Sequence, residues 1–115
     1  MEGFFLNCKK EFMDKYILAI DAGTTSSRAI LFDKDANPVE ISQYEFNQFF
    51  PKEGWVEHDA LEIWNTQLRA IKNVIKNSNV RPDEIDSIGI TNQRETTVIW
   101  NKDNGQPVYL SLIHI

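Results

Sequence analysis

Cysteine occurs once in this chain, at Cys8, and histidine twice, at His58 and His114. A single thiol excludes an internal disulfide framework and fits a reducing compartment. It also leaves no His and Cys cluster with the spacing of a metal site. Long apolar runs are missing too. Nothing approaches the roughly 20 apolar residues that span a bilayer. Met1 to Phe12 holds only the brief run Phe4-Phe5-Leu6, too short for the core of a secretory signal. The chain is therefore expected to be cytoplasmic, with Met13 as its natural start and residues 1–12 as a non-native or disordered leader. A basic surplus is also lacking. Twelve Lys and Arg stand against 17 Asp and Glu, for a net charge of −5. The basic residues are scattered, which argues against a nucleic-acid or anionic-membrane partner and leaves small molecules. Gly-x-x-x-x-Gly-Lys-Ser/Thr, Gly-x-Gly-x-x-Gly and Gly-x-Ser-x-Gly are all absent. Any nucleotide use is then neither P-loop nor Rossmann in style. Internal repeats and low-complexity tracts are missing, and no domain linker can be placed.

What the chain does contain is organised around Asp21-Ala22-Gly23-Thr24-Thr25-Ser26-Ser27-Arg28, set between the strand-like apolar runs 16–20 and 29–32. Successive backbone N–H groups in a tight turn make an anion-binding concavity. Gly23 lets the backbone come close, and the hydroxyls add donors, so this tip is suited to phosphate. Asp21 would repel phosphate unless a divalent cation sat between them, and Mg²⁺ typically uses one or two carboxylates plus phosphate oxygens. An ordinary polar hairpin turn accounts for the same residues.

Further along, residues 33–37 are rich in turn formers, and residues 39–46 alternate apolar with polar, so a third, half-exposed strand completes an antiparallel meander. Residues 49–58 lack periodicity and contain Pro51 and Gly54, which reads as an aromatic loop with Trp55 packing onto the domain. His58, beside a helix start, reads as a surface or packing residue rather than a catalytic base. Asp59 and Glu62 have the spacing of a capping box. Leu61, Trp64, Leu68, Ile71 and Ile75 then recur at helical spacing, predicting a helix of about 19 residues with that stripe against the sheet. Residues 85–91 predict a parallel strand reached by a crossover. At its carboxyl end stand Thr91-Asn92-Gln93-Arg94-Glu95, where open α/β sheets place their ligand crevice. An exposed Arg94–Glu95 ion pair is the alternative there. Residues 96–100 and 107–109 flank Asn104-Gly105 and predict a closing hairpin.

Three of these stretches carry a resemblance: Ile20 to Arg28, Gly54-Trp55-Val56-Glu57-His58-Asp59, and Gly89-Ile90-Thr91-Asn92-Gln93-Arg94-Glu95-Thr96-Thr97. The first resembles sugar kinases with an actin-like, ribonuclease H-like fold. The other two narrow the resemblance to the N-terminal region of glycerol kinases, over residues 13–109. The resemblance implies a partial α/β actin-like domain and transfer of the γ-phosphoryl of ATP, with Mg²⁺, to glycerol. It implies that Thr24, Thr25 and Ser26 contact the nucleotide phosphates, that Arg28 pairs with the nucleotide and that Asp21 helps place Mg²⁺. Arg94 and Glu95, with Thr24, would hold glycerol. The family's catalytic aspartate, adenine pocket and second domain come from sequence beyond this chain, so no residue here is assigned as the base and the fragment is not expected to turn over. The parent enzyme is expected to be a homo-oligomer. Leu110 to Ile115 departs from the family's continuation and is expected to be a foreign tail, with no role for His114. Two other readings stay open: another sugar or polyol kinase of the same family, or a non-catalytic nucleotide- or polyol-binding module.

Overall fold

The computed structural model of the chain describes residues 15–114. The expected leader, residues 1–12, and the expected start at Met13 lie outside them. The described elements are strands β1 (Tyr16–Ala22), β2 (Ser26–Phe32), β3 (Pro38–Glu45), β4 (Gln48–Phe49) and β5 (Val56–His58), helix α1 (Ala60–Ser78), a 3-10 turn (Pro82–Glu84), and strands β6 (Ile85–Thr91) and β7 (Ser111–His114). The main sheet has the order β3-β2-β1-β6. Its first three strands form the expected antiparallel meander, and β6 lies parallel to β1.

Strands β1 and β2 run further than the apolar runs alone indicate. Asp21 pairs with Arg28 and Ala22 with Ser27, so the connecting turn shrinks to Gly23-Thr24-Thr25. Opposite charges facing each other across an antiparallel pair favour that extension. The turn closes when the Gly23 N–H donates to the Ser26 carbonyl at 3.0 Å, and a Cβ on Gly23 would stand 3.0 Å from that same oxygen.

Alternation along β2 buries Ser27, Ala29 and Leu31 on the face covered by α1. With Leu18, Ala70, Val74 and Val80, the apolar members of that face form the core. The helix has the predicted length of 19 residues and ends at Asn79, whose φ of 58° makes a left-handed cap. Its contact face differs from the expected stripe. Gln67, Ala70 and Val74 are buried, whereas Trp64 remains 58% exposed and Leu61 is also exposed. Two polar ties account for the rotation: Ser27 Oγ bonds Thr66 Oγ1 at 2.9 Å, and the Gln67 side-chain amide donates to the Arg28 carbonyl at 2.9 Å. Ala70, one turn further along the same face, is fully buried, and its small side chain suits close packing on the sheet.

The capping box is only half made. Asp59 accepts the Leu61 N–H at 3.0 Å, but the Glu62 carboxylate accepts the backbone N–H of Asn47 at 2.8 Å instead of returning to Asp59. Residues expected to form one loop between 49 and 58 contribute strand β5, which pairs with β4 and with β7 in a second small sheet. Trp55 takes the Lys52 ammonium over its ring at 4.8 Å. In β3 the alternation changes phase at Ser42-Gln43. Tyr44 faces the helix side, while Ile41 pairs with Ile30 on the opposite face and stays exposed. The expected closing hairpin forms around the turn 101–106, where Trp100 bridges Pro107, the Asn101 N–H donates to the Gln106 carbonyl at 2.8 Å and the Val108 N–H to the Ile99 carbonyl at 2.9 Å. Residues 111–114 of the expected foreign tail form β7.

Candidate functional site

The turn between β1 and β2 and the loop after β6 meet because β6 runs parallel to β1, with Asp21 paired to Thr91 at their shared carboxyl ends. A cleft of about 410 Å³ lies there, lined by residues 21–24 and 91–95. Small-molecule sites typically hold about 300–1,000 Å³. Asp21, Thr24, Arg94 and Glu95 are thus brought together. Thr25 stands exposed at the turn tip, and its carbonyl accepts the Phe46 N–H at 3.3 Å. The Ser26 hydroxyl receives the Gln43 amide at 2.7 Å. Thr25, Ser26 and Arg28 do not line the cleft.

Asp21 and Arg28, to which the resemblance gives separate partners, engage each other. Arg28 donates from Nε at 3.2 Å and from its terminal nitrogen at 2.5 Å, both to Asp21 Oδ2. That pair is partly exposed. Among the described residues no group of three or more His, Cys, Asp or Glu could hold a metal ion. One carboxylate such as Asp21 can still suit Mg²⁺, which takes most of its ligands from phosphate and water when a single carboxylate helps to hold it.

On the opposite wall, no ion pair joins Arg94 and Glu95 among the described residues. The sequence alternative of a mutually neutralised surface pair is therefore not what the loop forms. Both side chains are exposed at the cleft. Glu95 has φ 58°, a left-handed conformation uncommon for a residue with a long side chain. Such backbone conformations persist where surrounding structure holds them, and they gather at ligand sites.

Four residues that sequence reasoning did not single out as functional support this arrangement. Ser27 and Gln67 fasten β2 to α1 directly behind the turn. His58, expected at the surface or in packing, is 0% exposed, with Phe46 edge-on at 4.9 Å between ring centroids. Its Nδ1 lies 2.7 Å from the Gln93 side-chain amide nitrogen. The two groups are hydrogen-bonded, and which of them donates depends on the imidazole tautomer and the amide orientation. Burial pushes the His58 imidazole below its ordinary range, opposed by the Gln93 hydrogen bond and the Glu62 charge. Strand period two is the one sequence signal that could have found Ser27, since it shares a face with Ala29 and Leu31. Nothing local in sequence links His58 to Gln93.

Residues 16–113 match the N-terminal domain of the FGGY family of carbohydrate kinases. Glycerol kinase of Desulforamulus reducens is 60% identical over 99 residues, which are 86% of this chain and 20% of that protein. Glycerol kinase of Treponema denticola is 58% identical over 101 residues, 88% of this chain and again 20% of the relative. The crystal structure of Plasmodium falciparum glycerol kinase with ADP superposes with a TM-score of 0.76 at 35% identity, over 86% of this chain and 20% of that one. A ligand-bound xylulose kinase from Lactobacillus acidophilus, at 21% identity, shares the fold with a TM-score of 0.74 over 85% of this chain and 19% of its own. The chain therefore spans about a fifth of the length of the relatives it matches.

Proposed function

This chain belongs to the FGGY family of carbohydrate kinases, and from that premise we propose that it is the N-terminal part of a glycerol kinase, which transfers the γ-phosphoryl group of ATP to a terminal hydroxyl of glycerol and yields glycerol 3-phosphate. The observation that carries the reading is the single cleft shared by residues 21–24 and 91–95. Across it the turn at Gly23 and Thr24, read here as anion-binding, faces a loop bearing one cation and one carboxylate. Phosphoryl transfer is mostly positioning and charge stabilisation, which two such walls can supply.

In this reading the turn hydroxyls of Thr24, Thr25 and Ser26 donate to the nucleotide phosphates, and Arg28 pairs with the nucleotide. Asp21 helps to hold Mg²⁺, which when bound neutralises charge on the phosphate oxygens. Arg94 donates to the glycerol hydroxyls while Glu95 accepts from them, with Thr24 at the boundary between the two substrates. A vicinal diol offers donors and acceptors on adjacent carbons, and a guanidinium beside a carboxylate satisfies both kinds. The catalytic base is not assigned in this chain. The reading places the enzyme in the cytoplasm as a homo-oligomer. Among the described residues no helix is long and apolar enough to cross a membrane.

Kinetics of Glu95→Gln and Arg94→Ala in the longer protein that carries this chain test the assignment. A hydrogen bond to a charged group is worth about 1.5–3 kcal/mol, so Glu95→Gln should lower kcat/KM for glycerol roughly ten- to a hundredfold. The KM for ATP should barely change. Wild-type kcat/KM for glycerol in both variants, or a loss confined to ATP, would remove the polyol assignment.

A further inference from the structure

Loop 92–95 carries the two side chains assigned to the polyol, yet little within it fixes its shape. Thr96 Oγ1 donates to the Arg94 carbonyl at 3.2 Å, a local contact. Among the described residues, its side-chain bond to a distant element is the 2.7 Å contact from Gln93 to His58, 35 positions away in sequence. Gln93 directly precedes Arg94 and itself lines the cleft. The partner is firmly placed. His58 is fully buried, closes strand β5 opposite Gln48, lies against the Phe46 ring, and is followed by Asp59, which caps α1. A loop that must hold Glu95 at φ 58° needs such an outside anchor, because that conformation is unfavourable for a side chain of this kind.

We propose that His58 is a positioning residue for the polyol site: the hydrogen bond between its Nδ1 and the Gln93 side-chain amide sets the place of Arg94 and Glu95 in the cleft. The inference rests on the polyol reading of that loop. It assigns His58 no contact with substrate and no proton transfer. Its effect falls first on the wall formed by loop 92–95. The opposite wall is fastened through Ser27 to Thr66 and Gln67 to the Arg28 carbonyl, and reaches His58 indirectly through Phe46, whose N–H donates to the Thr25 carbonyl.

The test uses the longer protein and compares His58→Leu, which removes the hydrogen-bonding partner of Gln93, with His58→Gln, whose side-chain amide can still donate or accept. Gln93→Met and the His58→Leu/Gln93→Met double variant complete the cycle, and Glu95→Gln serves as reference. Loss of the anchor should lower kcat/KM for glycerol roughly ten- to a hundredfold, the scale on which misplaced substrate-positioning groups act, with KM for ATP unchanged. His58→Gln should restore most of that loss, and the double variant should be no worse than either single one. A merely structural role would lower the fraction of folded enzyme and leave both KM values alone, without rescue. If His58→Leu does not fold, Gln93→Met decides. Equal losses for glycerol and ATP, wild-type glycerol kinetics in Gln93→Met, or additive losses in the double variant overturn the inference. Wild-type glycerol kinetics in both Glu95→Gln and Arg94→Ala remove the polyol reading itself, and the inference with it. A tenfold loss in Glu95→Gln alone leaves that reading standing and sinks His58.

Discussion

Strands β2 and β6 both flank β1 and both reach the cleft, but they are held in different ways. On β2, alternation delivers Ser27, Ala29 and Leu31 to a helix that covers them completely. On β6, Ile88 and Ile90 pair with Leu18 and Ile20, yet α1 packs over β2 and β3, reaches β1 only marginally, and leaves Ile90 73% exposed. The turn 23–25 therefore projects from a strand sealed against the helix. Loop 92–95 extends from a strand that is exposed from Asp86 to Thr91 and that, among the described residues, has no neighbour on its outer edge. Two walls of one cleft can thus owe their geometry to different causes, packing on one side and a side-chain hydrogen bond on the other.

The largest effect separates the two strands directly. Leu31 is 0% exposed, so Leu31→Ala should cost about 2–5 kcal/mol through lost burial and a residual cavity. Ile90→Lys in the same 115-residue chain should change stability by no more than about 0.5 kcal/mol, as exposed substitutions usually do. It should also reduce self-association, since a charge interrupts a patch formed with Ile88 and discourages edge pairing. Urea unfolding and gel filtration of both variants measure the contrast. A loss at Ile90 comparable to that at Leu31 would mean that β6 is sealed after all.

A smaller effect is expected at Asp21, where the held wall meets the chemistry. Its contact with Arg28 is a partly exposed ion pair, and such pairs contribute about 0–1 kcal/mol. Asp21→Asn should therefore leave the melting temperature nearly unchanged in the longer protein. If the carboxylate also helps to hold Mg²⁺, kcat should fall roughly ten- to a hundredfold, the scale of one charged interaction. An unchanged kcat at saturating Mg²⁺ would reduce Asp21 to half of a cross-strand pair.

The same contrast decides what was legible in the sequence. Local signals located the meander, the helix and both of its ends, because strand period, the Asp59 cap and the Asn79 stop act within a few residues. The two segments lining the cleft were also legible, as a polar turn and a polar strand end. Their junction follows from the parallel crossover. Hydrophobic periodicity misplaced the helix contact because it cannot weigh Thr66 and Gln67, which face β2 and hydrogen-bond to it while Leu61 and Trp64 stay exposed. Strand β5 was hidden because three residues beside Pro51 and Gly54 carry too little pattern to be recognised apart from their partners. His58 and Gln93 were illegible as a pair, since only tertiary structure brings positions 35 apart into contact.

The smallest effect sharpens how the held region is fastened at the start of α1. A capping box would couple Asp59 and Glu62, each side chain satisfying an N–H at the other's end. Here they serve different groups: Asp59 takes the Leu61 N–H, while Glu62 reaches across to Asn47 on the segment leading into β4. Asp59→Ala should cost about 1 kcal/mol, the usual scale for losing an N-cap, and Asp59→Ser should recover most of it. Glu62→Ala should cost less, about 0.5–1 kcal/mol, because Asn47 is exposed and water can replace the lost acceptor. With no shared partner, the two losses should add to within about 0.3–0.5 kcal/mol in a double-mutant cycle. Urea unfolding of the longer protein and its three variants measures this. A coupling clearly beyond that margin would restore the capping box and detach Glu62 from the loop it is expected to hold.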